Sequence, residues 1–239
     1  MSSVRATQIG GLALAASIGC AAWSEPGVRV ELRSRPSVYA GEALRGSAGA
    51  VRIEELRWTS SEIELLACSS AGALSAASFM RAAGRWLVPT AQAHGLSSPT
   101  VRAVPTIVDA FATGGVGDLT PPAGQYCGVR YRIAPADADA VGLSGAPEML
   151  GASFVLRAAL DDGAGGERSI ELFSQQTLDV TLDVDVELSS ERRGASLAFG
   201  CDAERWVRDV DLGQLAFSDG SSEDAILAAF LASFGVQVE

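Results

Sequence analysis

The chain holds one histidine, His94, in Gln92-Ala93-His94-Gly95, and four cysteines, Cys20, Cys68, Cys127 and Cys201. Imidazole and sulfur can ligate soft metal ions, act as base or nucleophile, or form disulfides. A hydrolytic triad needs an imidazole base, and Ser97 and Ser98 follow His94 too closely in a Pro/Ser loop to imply one. No G-x-S-x-G, H-E-x-x-H, phosphate-loop or dinucleotide pattern occurs. The many Asp and Glu residues offer no pair that stands out as glycosidase carboxylates. The chain therefore reads as no enzyme. His94 is either a metal ligand or an ordinary loop residue, and no CxxC or Cys/His spacing suggests structural zinc.

The cysteines point to an address. Met1 to Gln8 is short and polar with Arg5, and Ile9 to Ile18 is apolar with small residues, before Gly19-Cys20. This is the layout of an export signal, too short to span a bilayer as a mature helix. Gly19-Cys20 resembles a bacterial lipobox, in which Cys20 is acylated and becomes the mature N-terminus. Ser17 stands where Leu is usual, and the competing reading is ordinary cleavage after Ala22. A lipid on Cys20 implies a membrane anchor, and Ala21 after it favours the outer membrane, facing periplasm or cell surface. Three cysteines then remain in a compartment that permits disulfides. Cys68 and Cys127 each sit in a candidate core strand, which favours them as the pair. The alternative is three buried, inert thiols.

Composition narrows the partners. Net charge is −11, and all 18 basic residues are Arg. Such a chain is repelled by phosphate backbones, so nucleic acid is excluded as a natural partner. A hydrophobic share of 48% supports a real core.

The elements that must hold these residues read as mostly β. Pro121 to Ile133 opens with a Pro-Pro-Ala-Gly turn and alternates with period two, placing Cys127, Val129, Tyr131 and Ile133 on one side. Val28 to Arg33 reads as a first strand and 35–48 as loop. Residues 50–59 and 62–68 read as a hairpin turning at Thr59-Ser60-Ser61, with a bulge at Glu54-Glu55. Residues 69–117 form a long irregular insertion containing His94, with short helices at Ala76 to Ala83 and Thr106 to Ala112. Asp137 and Asp139 resemble a fragment of a calcium loop whose remaining ligands are missing, and read better as a solvated acidic loop. Residues 153–160 and 169–173 form a second hairpin. Leu178 to Leu188 alternates aliphatic and acidic residues; that stripe reads as a solvated face rather than a cation site. A strand at Ala195 to Gly200, a short helix carrying Trp206 and a helix from Ser221 to Phe234 ended by Gly235 complete the chain. The expected fold is mainly β, an antiparallel β-sandwich with a long irregular insertion and a C-terminal helix. Residues 1–20 are a lipoprotein signal peptide, 21–27 a tether and 28–239 one domain.

Pro122-Ala123-Gly124, Tyr126 and Val129-Arg130, led by Asp118-Leu119, resemble a motif of the MbnP-like family. The tail adds Ser196 to Phe199, Trp206, Val210-Asp211-Leu212 and the helix from Asp224 to Phe234. These are exported bacterial β-rich proteins associated with copper. The resemblance implies an all-β export domain, with copper contacted through histidine and an oxidised tryptophan. Several histidines are expected for such a site, and here only His94 is present, with Met80 upstream and Trp58 or Trp86 as the aromatic. Three functional expectations follow. The first is an envelope-anchored, non-enzymatic binding or interaction module for a small ligand or envelope protein. The second is a periplasmic copper-binding protein using His94. The third is a carbohydrate-binding module presenting Trp58, Trp86 or Trp206.

Overall fold

The computed structural model describes residues 28–39, 41–46, 49–68, 98–161, 166–210 and 220–239. It is mainly β, with two sheets arranged like a sandwich and a C-terminal helix and strand. Its spine is β3 (Gly49–Ala67), a single strand of 19 residues. The smaller sheet has the order β12-β11-β1-β6, formed by β1 (Arg29–Ser34), β6 (Gly114–Leu119), β11 (Gly194–Cys201) and β12 (Phe234–Val238). The larger sheet adds β2 (Ala43–Gly46), β4 (Val101–Arg102), β5 (Thr106–Asp109), β7 (Gly124–Ile133), β8 (Phe154–Asp161), β9 (Glu167–Ser174) and β10 (Leu178–Leu188).

The pairings show how one strand serves so many neighbours. Trp58 pairs with both Phe154 and Val108, and Ser60 with both Ile133 and Thr106. A residue has one partner on each side, so β8 and β7 lie end to end along one edge of β3. β2, β5 and β4 line the other edge. The expected hairpin is therefore corrected. Thr59-Ser60-Ser61 is no turn; the register with β7 slips between Ser60 and Glu62, at the changeover from β8 to β7. The bulge expected at Glu54-Glu55 is there, as a slip between Ile53 and Glu55 against β8.

Two more expectations change. Within 35–48, Ala43–Gly46 is a strand. Of the insertion at 69–117, residues 69–97, with the helix expected at Ala76 to Ala83, lie outside the described residues. The rest is not irregular: it supplies β4, β5 and most of β6, and the helix expected at Thr106 to Ala112 is replaced by β5. Thr106 and Val108 face the main core. Ile107 packs on a second apolar cluster of Ala146, Met149, Ala152 and Val155. A strand covered on both faces loses its alternation, which explains the helix-like reading.

Helix α1 (Ala203–Asp209) is capped by Asp202, whose carboxylate accepts from the Arg205 N–H at 3.0 Å. Helix α2 (Gly220–Ser233) buries Ile226, Leu227 and Phe230. Phe234, expected at the end of this helix, opens β12 instead, and Gly235 lies inside that strand. Phe230 makes ring contacts with Trp58, Phe154, Trp206 and Phe234 at centroid distances of 4.9 to 5.9 Å. Tyr131 and Phe199 extend this aromatic centre into the small sheet. Arg102 reaches from β4 to β6, where it lies on the bare backbone of Gly117. Gly117 has a φ of +145°, and a Cβ there would stand 1.9 Å from the Arg102 Nε, so a side chain would strain the backbone and displace Arg102.

Candidate functional site

Cys68, just past β3, and Cys127, in β7, are joined by a disulfide with Cα atoms 4.8 Å apart. The pairing is as expected, but its setting is not. Alternation assigned Cys127 to the core side with Val129 and Tyr131. In the structure Leu66 pairs with Gly128 and Ala67 with Tyr126, so Cys127 is the extra residue of a bulge. Tyr126 takes the inward position, and its hydroxyl donates to the Pro122 carbonyl oxygen at 2.8 Å. Cys127 turns out to solvent and Cys68 is half-buried. Gly128 was the available signal: a glycine inside a strand pattern marks a bulge.

β10 flanks this disulfide with carboxylates. Asp183 pairs with Gly128 and Val186 with Tyr126, so Val184 and Asp185 stand alongside Cys127. Asp183 and Asp185 are exposed on the outer side. Elsewhere most charges on the outer side of the large sheet are paired. Arg57 meets Glu55, Asp109 and Glu148; Arg157 meets Glu55 and Glu171 and lies over the Phe173 ring. Arg130 meets Glu64, and Arg132 meets Asp179 and Glu62. The Arg132 bond also holds its guanidinium above the usual arginine range, while Glu148 is held below the usual carboxylate range. Each exposed pair adds at most about 1 kcal/mol, but together they set strand register. The pattern runs out towards the end of β10, where Glu187 has no ion pair among the described residues and Asp183 and Asp185 lie beside Cys127. Among the described residues neither has a cationic partner, and Asp185 Oδ1 meets only the Gln125 amide, at 3.5 Å.

Polar groups also lie inside. Tyr131 is fully buried and its oxygen accepts from the Trp58 Nε1–H at 3.0 Å. Burial pushes the Tyr131 phenol up to about 12. Burial likewise pushes the thiol of Cys201 up to about 11. In both cases the folded chain holds a proton that the unfolded chain releases at lower pH. Their stabilising contribution is complete below the unfolded values of 9.0 and 10.0 and is lost as pH rises through the folded ones. Urea midpoints should therefore fall steadily between pH 9 and about 12. Cys201→Ala should move the onset of the fall from about pH 9 to about pH 10, where Tyr131 takes over, and make it shallower up to about 11; an identical pH profile in that variant would show that the thiol does not contribute.

Cys20 and His94, with Met80 and Trp86, lie outside the described residues. Trp58 and Trp206 are 0% and 2% exposed, which overturns the expectation that either serves as a sugar-stacking platform. Trp206 instead donates its Nε1–H to the Ile226 carbonyl at 3.2 Å. Asp137 makes a local turn, accepting from the backbone N–H of Asp139 at 3.1 Å. Among the described residues no group of three or more His, Cys, Asp or Glu side chains is placed to hold a metal ion. A cleft of about 320 Å³ between β2, β3, β8 and β9 is lined by charged and small residues, and one of about 420 Å³ between β2 and α1 by charged residues with Ala43 and Leu44; neither has an aromatic ring. No family model, curated protein or solved structure matches this chain.

Proposed function

We infer that this chain is an envelope-anchored binding or interaction module without catalytic activity, a β-sandwich domain held to a membrane by a lipid on Cys20. The observation that carries the reading is the Cys68–Cys127 disulfide at a solvent-facing bulge. Such a bond forms and persists in oxidising compartments and is rare where cytosolic reductants operate. The basic and apolar N-terminal stretch ending in Gly19-Cys20 supplies the route and the anchor. A single domain with a fully packed aromatic centre suits presentation of a surface more than enclosure of a substrate. The module reading is the broadest that these features support, and its ligand is a small molecule or an envelope protein.

Expression in a Gram-negative host tests the anchor. Wild-type protein should fractionate with membranes and leave them only in detergent, and Cys20→Ser should shift it to the soluble fraction or leave it as uncleaved precursor. Mature Cys20→Ser protein that stays on membranes to the wild-type extent would refute lipid anchoring.

A further inference from the structure

We propose that the Cys68–Cys127 disulfide is a thiol–disulfide exchange site open in the native fold, taking electrons from a dithiol partner that approaches with a basic surface. The inference goes beyond the envelope reading: a disulfide closed to reductant would leave lipid anchoring standing, and loss of anchoring would leave the exchange site standing.

Geometry makes the case for access. The bulge at Cys127 rotates its side chain away from the core, while Tyr126 fills the inward position that alternation would have given it. Cys68 sits past the last residue of β3, held by its N–H to the Gln125 carbonyl at 2.9 Å. Cys201 provides an internal contrast, being 4% exposed inside the sandwich. Exchange requires a thiolate to reach a disulfide sulfur along the bond axis, so a solvent-facing bond can react without unfolding.

Charge selects the donor. Asp183 and Asp185 flank Cys127 on the neighbouring strand without a cationic partner among the described residues, and the chain carries a net charge of −11. An anionic thiol is repelled there and a cationic one attracted.

The step balances simply. A donor thiolate attacks one cysteine sulfur, the S–S bond breaks, and the other cysteine leaves as a thiolate that takes a proton from water. The donor's second thiol, deprotonated, then resolves the mixed disulfide. Two electrons pass to the protein; the donor ends as a disulfide and Cys68 and Cys127 as thiols.

The test reduces the purified protein with cysteamine or 2-mercaptoethanesulfonate, traps thiols with a maleimide mass tag, and repeats this across urea concentrations. Each rate is normalised to that thiol's rate with a small-molecule disulfide. Cys68 and Cys127 should become labelled in the absence of urea, at a rate flat up to the onset of unfolding, with Cys201 unlabelled. At low salt cysteamine should be about tenfold faster than the sulfonate, and Asp183→Asn with Asp185→Asn should lower that ratio severalfold. Reduction that climbs with urea in step with Cys201 labelling would overturn native access. A rate ratio unchanged in the double aspartate variant would overturn the basic partner.

Discussion

Replacing Cys68 and Cys127 together with serine should lower the melting temperature by roughly 10 °C while leaving a folded domain. The bond joins residues 59 apart, and in the chain-entropy view a loop of that size contributes about 4 kcal/mol by restricting the unfolded chain. Packing adds little, because the bond lies outside the core and ties strands that are already neighbours. The effect should therefore appear as lost stability with native spectra retained, and reductant should have no further effect on the variant. A melting temperature equal to that of the oxidised protein would mean that this corner frays before the rest unfolds and that the staple restrains nothing essential.

A comparable loss is expected inside, by a different route. Phe230→Ala should cost about 3 to 5 kcal/mol, since it opens a cavity at a ring that touches four others. Phe230 is fully buried and carries α2 onto the large sheet through Trp58 and Phe154, and onto α1 through Trp206. Phe230→Leu keeps most of the volume and should cost under half as much. Urea denaturation of the three proteins checks the order, with tryptophan fluorescence reporting the surroundings of Trp58 and Trp206. A loss under about 1 kcal/mol for Phe230→Ala would show that α2 is peripheral to the cooperative unit.

The legible elements were those with one dry face and one wet face. Leu178 to Leu188 reads as a strand because its even-numbered residues turn inward and its acids outward, and β9 for the same reason; β8, buried on both faces, was legible through its run of apolar residues and the turn sequence that joins it to β9. Legibility failed where local chemistry mimicked something else. Thr59-Ser60-Ser61 has the polar composition of a turn, yet Thr59 and Ser60 are buried inside β3, and the Thr59 hydroxyl donates to the Ala152 carbonyl at 3.1 Å. Nothing local announces a partner 93 residues away. β5 failed because the 143–152 segment covers its second face. At the candidate site the cysteine pairing was legible from strand assignments. The exposure of Cys127 was not, because one bulge residue inverts the side on which a cysteine lands. Asp183 and Asp185 were legible only as part of a stripe; their lack of arginine partners among the described residues depends on which residues the neighbouring strand places opposite them.

β1 lies between β11, parallel to it, and β6, antiparallel to it. Its partners come from residues 194–199 and 114–119, so the first described strand waits for nearly the whole chain before its second side is closed. During vectorial synthesis, such a strand emerges well before its partners and is satisfied last. Long-range pairing of this kind slows folding into the millisecond-to-second range and lengthens the time an open edge is on offer. Arg29, Glu31 and Arg33, spaced along one side of β1, are suited to that interval: alternating charge makes pairing with the wrong chain costly until β11 arrives.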